Sequence, residues 1–128
     1  MQNLHNRRLG KLGEQIASQF LKNKGYILLF RNYRTRYDEI DIIGKRSGLL
    51  TFFEVKTKVG DKFGLPHESV NFFKLKHLKR AIQYFLLKNH VTDTKLSLDV
   101  VSVVLDTDEK VKSIKHFENV IKEGGIIW

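Results

Sequence analysis

At 128 residues with 41% hydrophobic content, the chain has the length and composition of one domain with a real core, and no room for a catalytic domain plus a separate binding domain. The absence of cysteine excludes a disulfide framework, a thiolate metal site and a cysteine nucleophile, and it suits a reducing compartment, so a cytoplasmic protein is expected. No apolar run reaches signal-peptide or membrane-span length, and no membrane role is expected.

The formal charge of +9 is unevenly spread. Residues 1 to 90 carry 18 Lys/Arg against 7 Asp/Glu, net +11, whereas residues 91 to 128 carry 5 against 7, net −2. Such asymmetry is the footprint of a polyanion-binding face, with nucleic acid the first candidate; the plainer alternative is a basic protein kept soluble by its charge.

In chain order, residues 4 to 24 read as a helix, with Leu9, Leu12, Ile16 and Phe20 at helical spacing and Gly25 as its stop. Glu14 falls at the border of that buried stripe. A strand begins at Tyr26, "YILLFRNY", and a polar turn around "RTRYD" follows. "EIDIIG" and "LLTFFEVKT" then read as two strands of a hairpin whose "KRSG" turn uses Gly48. After a loop punctuated by Gly and Pro, a second helix is expected from about Asn71 to Asn89, burying Leu75, Leu78, Ile82, Phe85 and Leu86. Its polar side carries Lys74, Lys76, Lys79, Arg80 and Lys88 and no acid. "LSLDVVSVVL" reads as a buried strand, and "VKSIKHFENVI" as a last strand or short helix.

The two-residue period of a strand sorts the hairpin. It puts Glu39, Asp41 and Ile43 on one face, with Ile40 and Ile42 behind, and it puts Phe52, Glu54 and Lys56 on one face of the next strand. Carboxylates half sunk among apolar residues are costly unless a cation offsets them. Cross-strand neighbours lie about 5 Å apart, so Asp41 and Glu54 can share one cation if the register brings them level. Two carboxylates are the usual protein contribution to a Mg²⁺ or Mn²⁺ site completed by substrate phosphates, and Lys56 is placed to orient water or offset phosphoryl charge. The competing reading is a cross-strand salt bridge from Lys56 to Asp41 or Glu39, which leaves two acids unpaired.

An acid-x-lysine triplet is weak by itself, as "DTK" at 93 to 95 and "DEK" at 108 to 110 show. The order of segments says more. "GEQIA", "GYILLFRNYR", "EIDIIG", "FFEVKTK", "NFFKLKHLKRAIQYFL" and "LDVVSV" resemble, in sequence, the YraN-like family of small predicted endonucleases. That family lies within the PD-(D/E)XK nuclease superfamily and is related to archaeal-type Holliday junction resolvases. The resemblance implies an α/β, restriction-endonuclease-like αβββαβ core with a mixed sheet flanked by helices, and a metal-dependent endonuclease acting on structured or branched DNA. It implies Asp41 and Glu54 as metal ligands, Lys56 as the catalytic lysine, Glu14 as a helix-borne acid reaching the site and Glu39 as an auxiliary acid. The chain departs from the family at Ser97, where an arginine usually stands two residues before the aspartate of the fourth core strand.

Arg34, Arg36, Lys58, Lys74, Lys79 and Arg80 are the expected nucleic-acid contacts. Asn71 is placed to cap the second helix near Lys74, and Tyr33, Tyr37 and Phe63, interleaved with Arg34, Arg36 and Lys62, suit stacking on unpaired bases. Asp99, ahead of a run of valines, is expected in a buried hydrogen bond or ion pair rather than in catalysis. A homodimer is expected only by analogy with resolvases, which act on two strands. A non-cleaving binding module of the same fold and an RNA-directed nuclease are the alternatives of function.

Overall fold

A computed structural model describes residues 4–60 and 72–121. The element order is α1 (Leu4–Asn23), β1 (Ile27–Arg34), β2 (Glu39–Arg46), β3 (Leu49–Val59), α2 (Phe72–Lys88), β4 (Lys95–Leu105) and β5 (Val111–Phe117). The predicted αβββαβ order is present, and the tail residues take the strand alternative as β5. Phe63, Lys62 and Asn71, with the roles expected of them, lie outside the described residues.

The strands form one sheet in the order β1-β2-β3-β4-β5. β3 and β4 are parallel and the other pairs antiparallel, so the sheet is mixed and α2 lies on the crossover that a parallel pair requires. Each helix covers its own core. Ala17 and Leu21 of α1 pack with Ile42, Phe53, Val101 and Val103, while Leu78, Ile82 and Phe85 of α2 pack with Ile40, Ile43, Phe52 and Leu98. Burial on both faces explains why β3 and β4 read as near-continuous apolar runs.

Local chemistry sets the connections. At the end of α1, Gly25 adopts φ +95° while its N–H donates to the Lys22 carbonyl and the Tyr26 N–H donates to that of Leu21, which satisfies the last turn of the helix. The β2–β3 hairpin closes through Ser47 and Gly48, both at positive φ, between the paired Arg46 and Leu49, as a two-residue turn matched to strand twist requires. Thr35 organises the β1–β2 turn: its hydroxyl accepts from the N–H groups of Tyr37 and Asp38.

Two features aim residues at one end of the sheet. Gly13 lies so close to β3 that a Cβ there would overlap Thr57 Oγ1, and this contact brings Glu14, the next residue, down to the sheet. The second feature corrects the alternation expected for β2: Ile40 and Ile42 lie in different cores, not behind one shared face. Asn32, which falls between the register pairs Arg31 with Ile42 and Tyr33 with Ile40, has φ +53°. A left-handed residue inside a strand turns the chain out of its two-residue alternation, and the partner strand follows at Asp41. Tyr33 and Ile40 accordingly pack toward α2, whereas Ile42 packs toward α1.

Candidate active site

The kink places Asp41 where it meets acids from both sides of the sheet. The last ladder pair of the hairpin is Ile42 with Phe53, so one further step sets Asp41 opposite Glu54. Asp41 Oδ2 accepts the N–H of Val55 at 2.8 Å, so its side chain bonds β3 just past the last backbone pair of the hairpin. Toward α1, carboxylate oxygens of Glu14, Glu39 and Asp41 all lie within 4.8 Å of one another. Glu54, two residues after Phe52 and only 4% exposed, has Lys74 of α2 beside it, with Nζ 3.2 Å from Oε2. That ammonium contact is an ion pair without an aligned hydrogen bond, and no other donor meets the oxygen among the described residues.

These acids line a cleft of about 690 Å³ together with Lys56, Arg34 and Asn32. Its electrostatics follow from crowding. Burial first, then the hydrogen bond to Glu54 and its charge, push Asp41 well above the usual carboxylate range, and the Val55 N–H only partly opposes this. Glu14 is raised as well, chiefly by burial and next by Glu39, with Arg31 and Asn32 pulling the other way. For Lys74, burial acts to lower the pKa, but the carboxylates of Glu54 and Asp38 outweigh it and hold the ammonium above its ordinary value. Asp38 lies 3.0 Å from Lys74 Nζ, so one lysine bridges the β1–β2 turn and β3.

All five acid and lysine positions singled out from the sequence, Glu14, Glu39, Asp41, Glu54 and Lys56, therefore line one cleft. Among the described residues the cross-strand salt bridge weighed for Lys56 is absent, and the cations that meet the acids are Arg34, 3.1 Å from Glu39, and Lys74. Lys74 thus sits half-buried between two carboxylates instead of on a solvated helix face. Arg34 borders the cleft, and Lys58 follows Lys56 along β3. Arg36 and Arg80 lie outside it beside Tyr37, and Lys79 is half-exposed on α2.

Asp99 does what its setting suggested. At 1% exposure it accepts from the Ser97 hydroxyl and from the Asn119 N–H, and it bonds His116 Nε2 at 2.7 Å. None of these residues lines the acidic cleft. Residues that sequence reasoning passed over are Asn32, Asp38, Arg7 and Lys11. The last two were legible: Arg7, Lys11 and Glu14 stand at i, i+4 and i+7 of α1, one face of the helix, and all three line the cleft.

The sequence profile of the uncharacterised protein family UPF0102 matches residues 13–103, which contain the whole acidic cluster. The chain belongs to the UPF0102 family. Similar UPF0102 proteins include one from Alkaliphilus oremlandii (strain OhILAs), 45% identical over 116 residues that cover 89% of this chain and 97% of the relative. Another, from Caldicellulosiruptor bescii, is 42% identical over 91% of this chain and 96% of its own length. A third, from Caldicellulosiruptor saccharolyticus, is 38% identical over 91% and 98%. The UPF0102 match thus spans the second half of α1, with Glu14, and the three strands β1, β2 and β3 that line the cleft.

Proposed function

We propose that this UPF0102 protein is a metal-dependent endonuclease of the PD-(D/E)XK type that hydrolyses phosphodiester bonds in structured or branched DNA, with Mg²⁺ or Mn²⁺ as its ion. One observation carries the reading: Asp41 gathers carboxylates from α1, β2 and β3 into a single cleft whose other side chains include Arg7, Lys11 and Lys56. Acids massed for stability alone would be matched one for one by cations, and here Lys74 beside Glu54 and Arg34 beside Glu39 are set against four clustered carboxylates, with Asp41 pushed up by burial and by Glu54. The donor set is all oxygen, as hard divalent cations prefer, so the residues fit such an ion.

Asp41 and Glu54 would hold the ion, with Glu14 and Glu39, whose carboxylates lie within 4.8 Å of Asp41, assisting. The chemistry such an ion supplies is Lewis acidity toward water and the phosphodiester. The remaining work falls to the chain. Lys56, not tied to any of these acids, is free to face phosphoryl oxygens or to orient the attacking water. Arg7, Lys11 and Arg34 at the mouth pair with backbone phosphates on either side of the bond that breaks. Lys74, anchored by Asp38, sets an ammonium beside Glu54 and fixes its side chain in the cleft.

The test is a cleavage panel of duplex, single-stranded, flapped and four-way DNA with Mg²⁺ and with Mn²⁺, run on wild type and Glu54→Gln. Metal-dependent product from wild type, and loss of product with retained binding in Glu54→Gln, is the expected result. Intact substrate throughout, together with no heat of Mg²⁺ or Mn²⁺ binding by calorimetry, would overturn the reading. DNA binding should weaken steeply with salt, since each neutralised duplex phosphate contributes about −0.9 to the log–log slope.

A further inference from the structure

A second concave surface lies on the other side of the β1–β2 turn. Arg36 and Tyr37 from that turn, with Arg80, Tyr84, Leu87 and Lys88 from α2, line a groove of about 590 Å³ that holds no carboxylate among the described residues. The two guanidiniums stand over the same ring, with Arg36 Cζ 5.7 Å and Arg80 Cζ 5.8 Å from the Tyr37 centroid, and Lys88 Nζ lies 5.6 Å from the Tyr84 centroid. Tyr37 is 40% exposed and Leu87 is 81% exposed. Apolar and aromatic surface left open to water beside three cations fits a ligand that is both flat and anionic.

We propose that this groove seats an unpaired DNA strand as it leaves a duplex held at the acidic cleft, its bases stacking on Tyr37 and Tyr84 and its phosphates meeting Arg36, Arg80 and Lys88. The inference rests on the nucleic-acid reading above and adds to it the part of the substrate that is not base-paired. Duplex DNA offers phosphates outside and bases within, so it would satisfy the cations and leave the rings idle; an open strand offers both. A second copy of the chain fits poorly, because mating this groove with itself opposes like charges. Position favours one continuous path. The residues at the two ends of the turn, Arg34 and Glu39, line the acidic cleft, while Arg36 and Tyr37 between them line the groove. The bridge from Asp38 through Lys74 to Glu54 fixes the turn that divides the two.

The experiment measures binding without metal, so that nothing is cut, using a labelled blunt duplex and the same duplex carrying a short unpaired arm. Wild type should prefer the armed duplex by roughly tenfold, the contribution of one or two stacked bases. Replacing both tyrosines, Tyr37→Ala with Tyr84→Ala, should erase the preference and leave blunt-duplex affinity within about twofold, whereas Tyr37→Phe with Tyr84→Phe should keep it, because the ring is retained. Leu87→Glu, at a side chain too exposed to matter for folding, should also erase it by setting a negative charge in the groove, and it reads the proposal if the double alanine variant fails to fold. Equal wild-type affinity for the two duplexes, or a preference that survives both the alanine and Leu87→Glu changes, would overturn the groove alone. Absence of salt-sensitive binding to either duplex would overturn it together with the nuclease reading. Wild type sedimenting as a dimer that Leu87→Glu splits would assign the groove to a second copy instead.

Discussion

Asp41 and Asp99 are both carboxylates sunk in the same sheet, and the chain treats them in opposite ways. Asp99 is surrounded by donors from Ser97, His116 and Asn119, on β4, on β5 and just beyond β5. Asp41 receives one backbone N–H and is otherwise pressed against further carboxyls, those of Glu14, Glu39 and Glu54. The first arrangement stabilises the fold and leaves little to bind. The second is costly to the fold, and a cation held there would relieve the cost. Buried charge therefore points to function only when its partners are counted: a satisfied acid is architecture, and an under-satisfied group of acids is a candidate site.

The comparison is sharpest where each acid or its partner is removed. Asp99→Ala leaves several buried donors without an acceptor, at roughly 1–3 kcal/mol each, and should cost at least about 3 kcal/mol in denaturant unfolding. If Asp99→Ala unfolds at the wild-type midpoint, its network is not structural.

Lys74→Ala, by contrast, should act on the cleft. Removing one partner of a buried pair costs roughly 3–5 kcal/mol, and the partial exposure of Lys74 reduces this to about 2 kcal/mol. The loss should shrink in Lys74→Ala with Glu54→Gln, since the orphaned charge is then gone. A double-mutant cycle with no coupling between the two would break the claim that Lys74 compensates Glu54.

Divalent metal should separate the two acids cleanly. Binding to the native state alone stabilises by about 1.4 kcal/mol at ten times the dissociation constant, so Mg²⁺ should raise the melting temperature of wild type and of Asp99→Ala but not of Asp41→Asn. A shift that persists in Asp41→Asn would place the ion elsewhere.

The smallest effect is one of pH. Because the folded-state pKa of Asp41 is raised, native protein holds its proton more tightly than unfolded chain, so this contribution to stability is fully present below the unfolded pKa and is lost as pH rises through the folded value. Glu14 acts in the same direction. Metal-free Asp41→Asn should accordingly be more stable than wild type by about 1 kcal/mol near neutral pH, with the difference closing as pH falls toward the ordinary carboxylate pKa of about 4. Melting curves across that range check it, and a difference that widens toward acid would reverse the sign assigned to Asp41.

Much of this was legible from residues alone. Helical spacing of Leu9, Leu12 and Ile16, the runs of β3 and β4, and the glycines at 25 and 48 determined the elements and their order, because periodicity and turn chemistry are local properties. The acids of "EID" and "EVK" were conspicuous because charge inside an apolar strand violates the local pattern. What only the tertiary structure decided depends on contacts between distant segments. Strict alternation could not foresee that Asn32 turns β1 out of phase, that β2 follows at Asp41, and that one carboxyl thereby meets Glu14 from one side of the sheet and Glu54 from the other. Nor does any spacing join Lys74 to Asp38 and Glu54, which are 36 and 20 positions away. Sequence period records which face a residue prefers, but the meeting of two faces at a kink is set by how separate strands and helices pack, and that information is distributed over the whole fold.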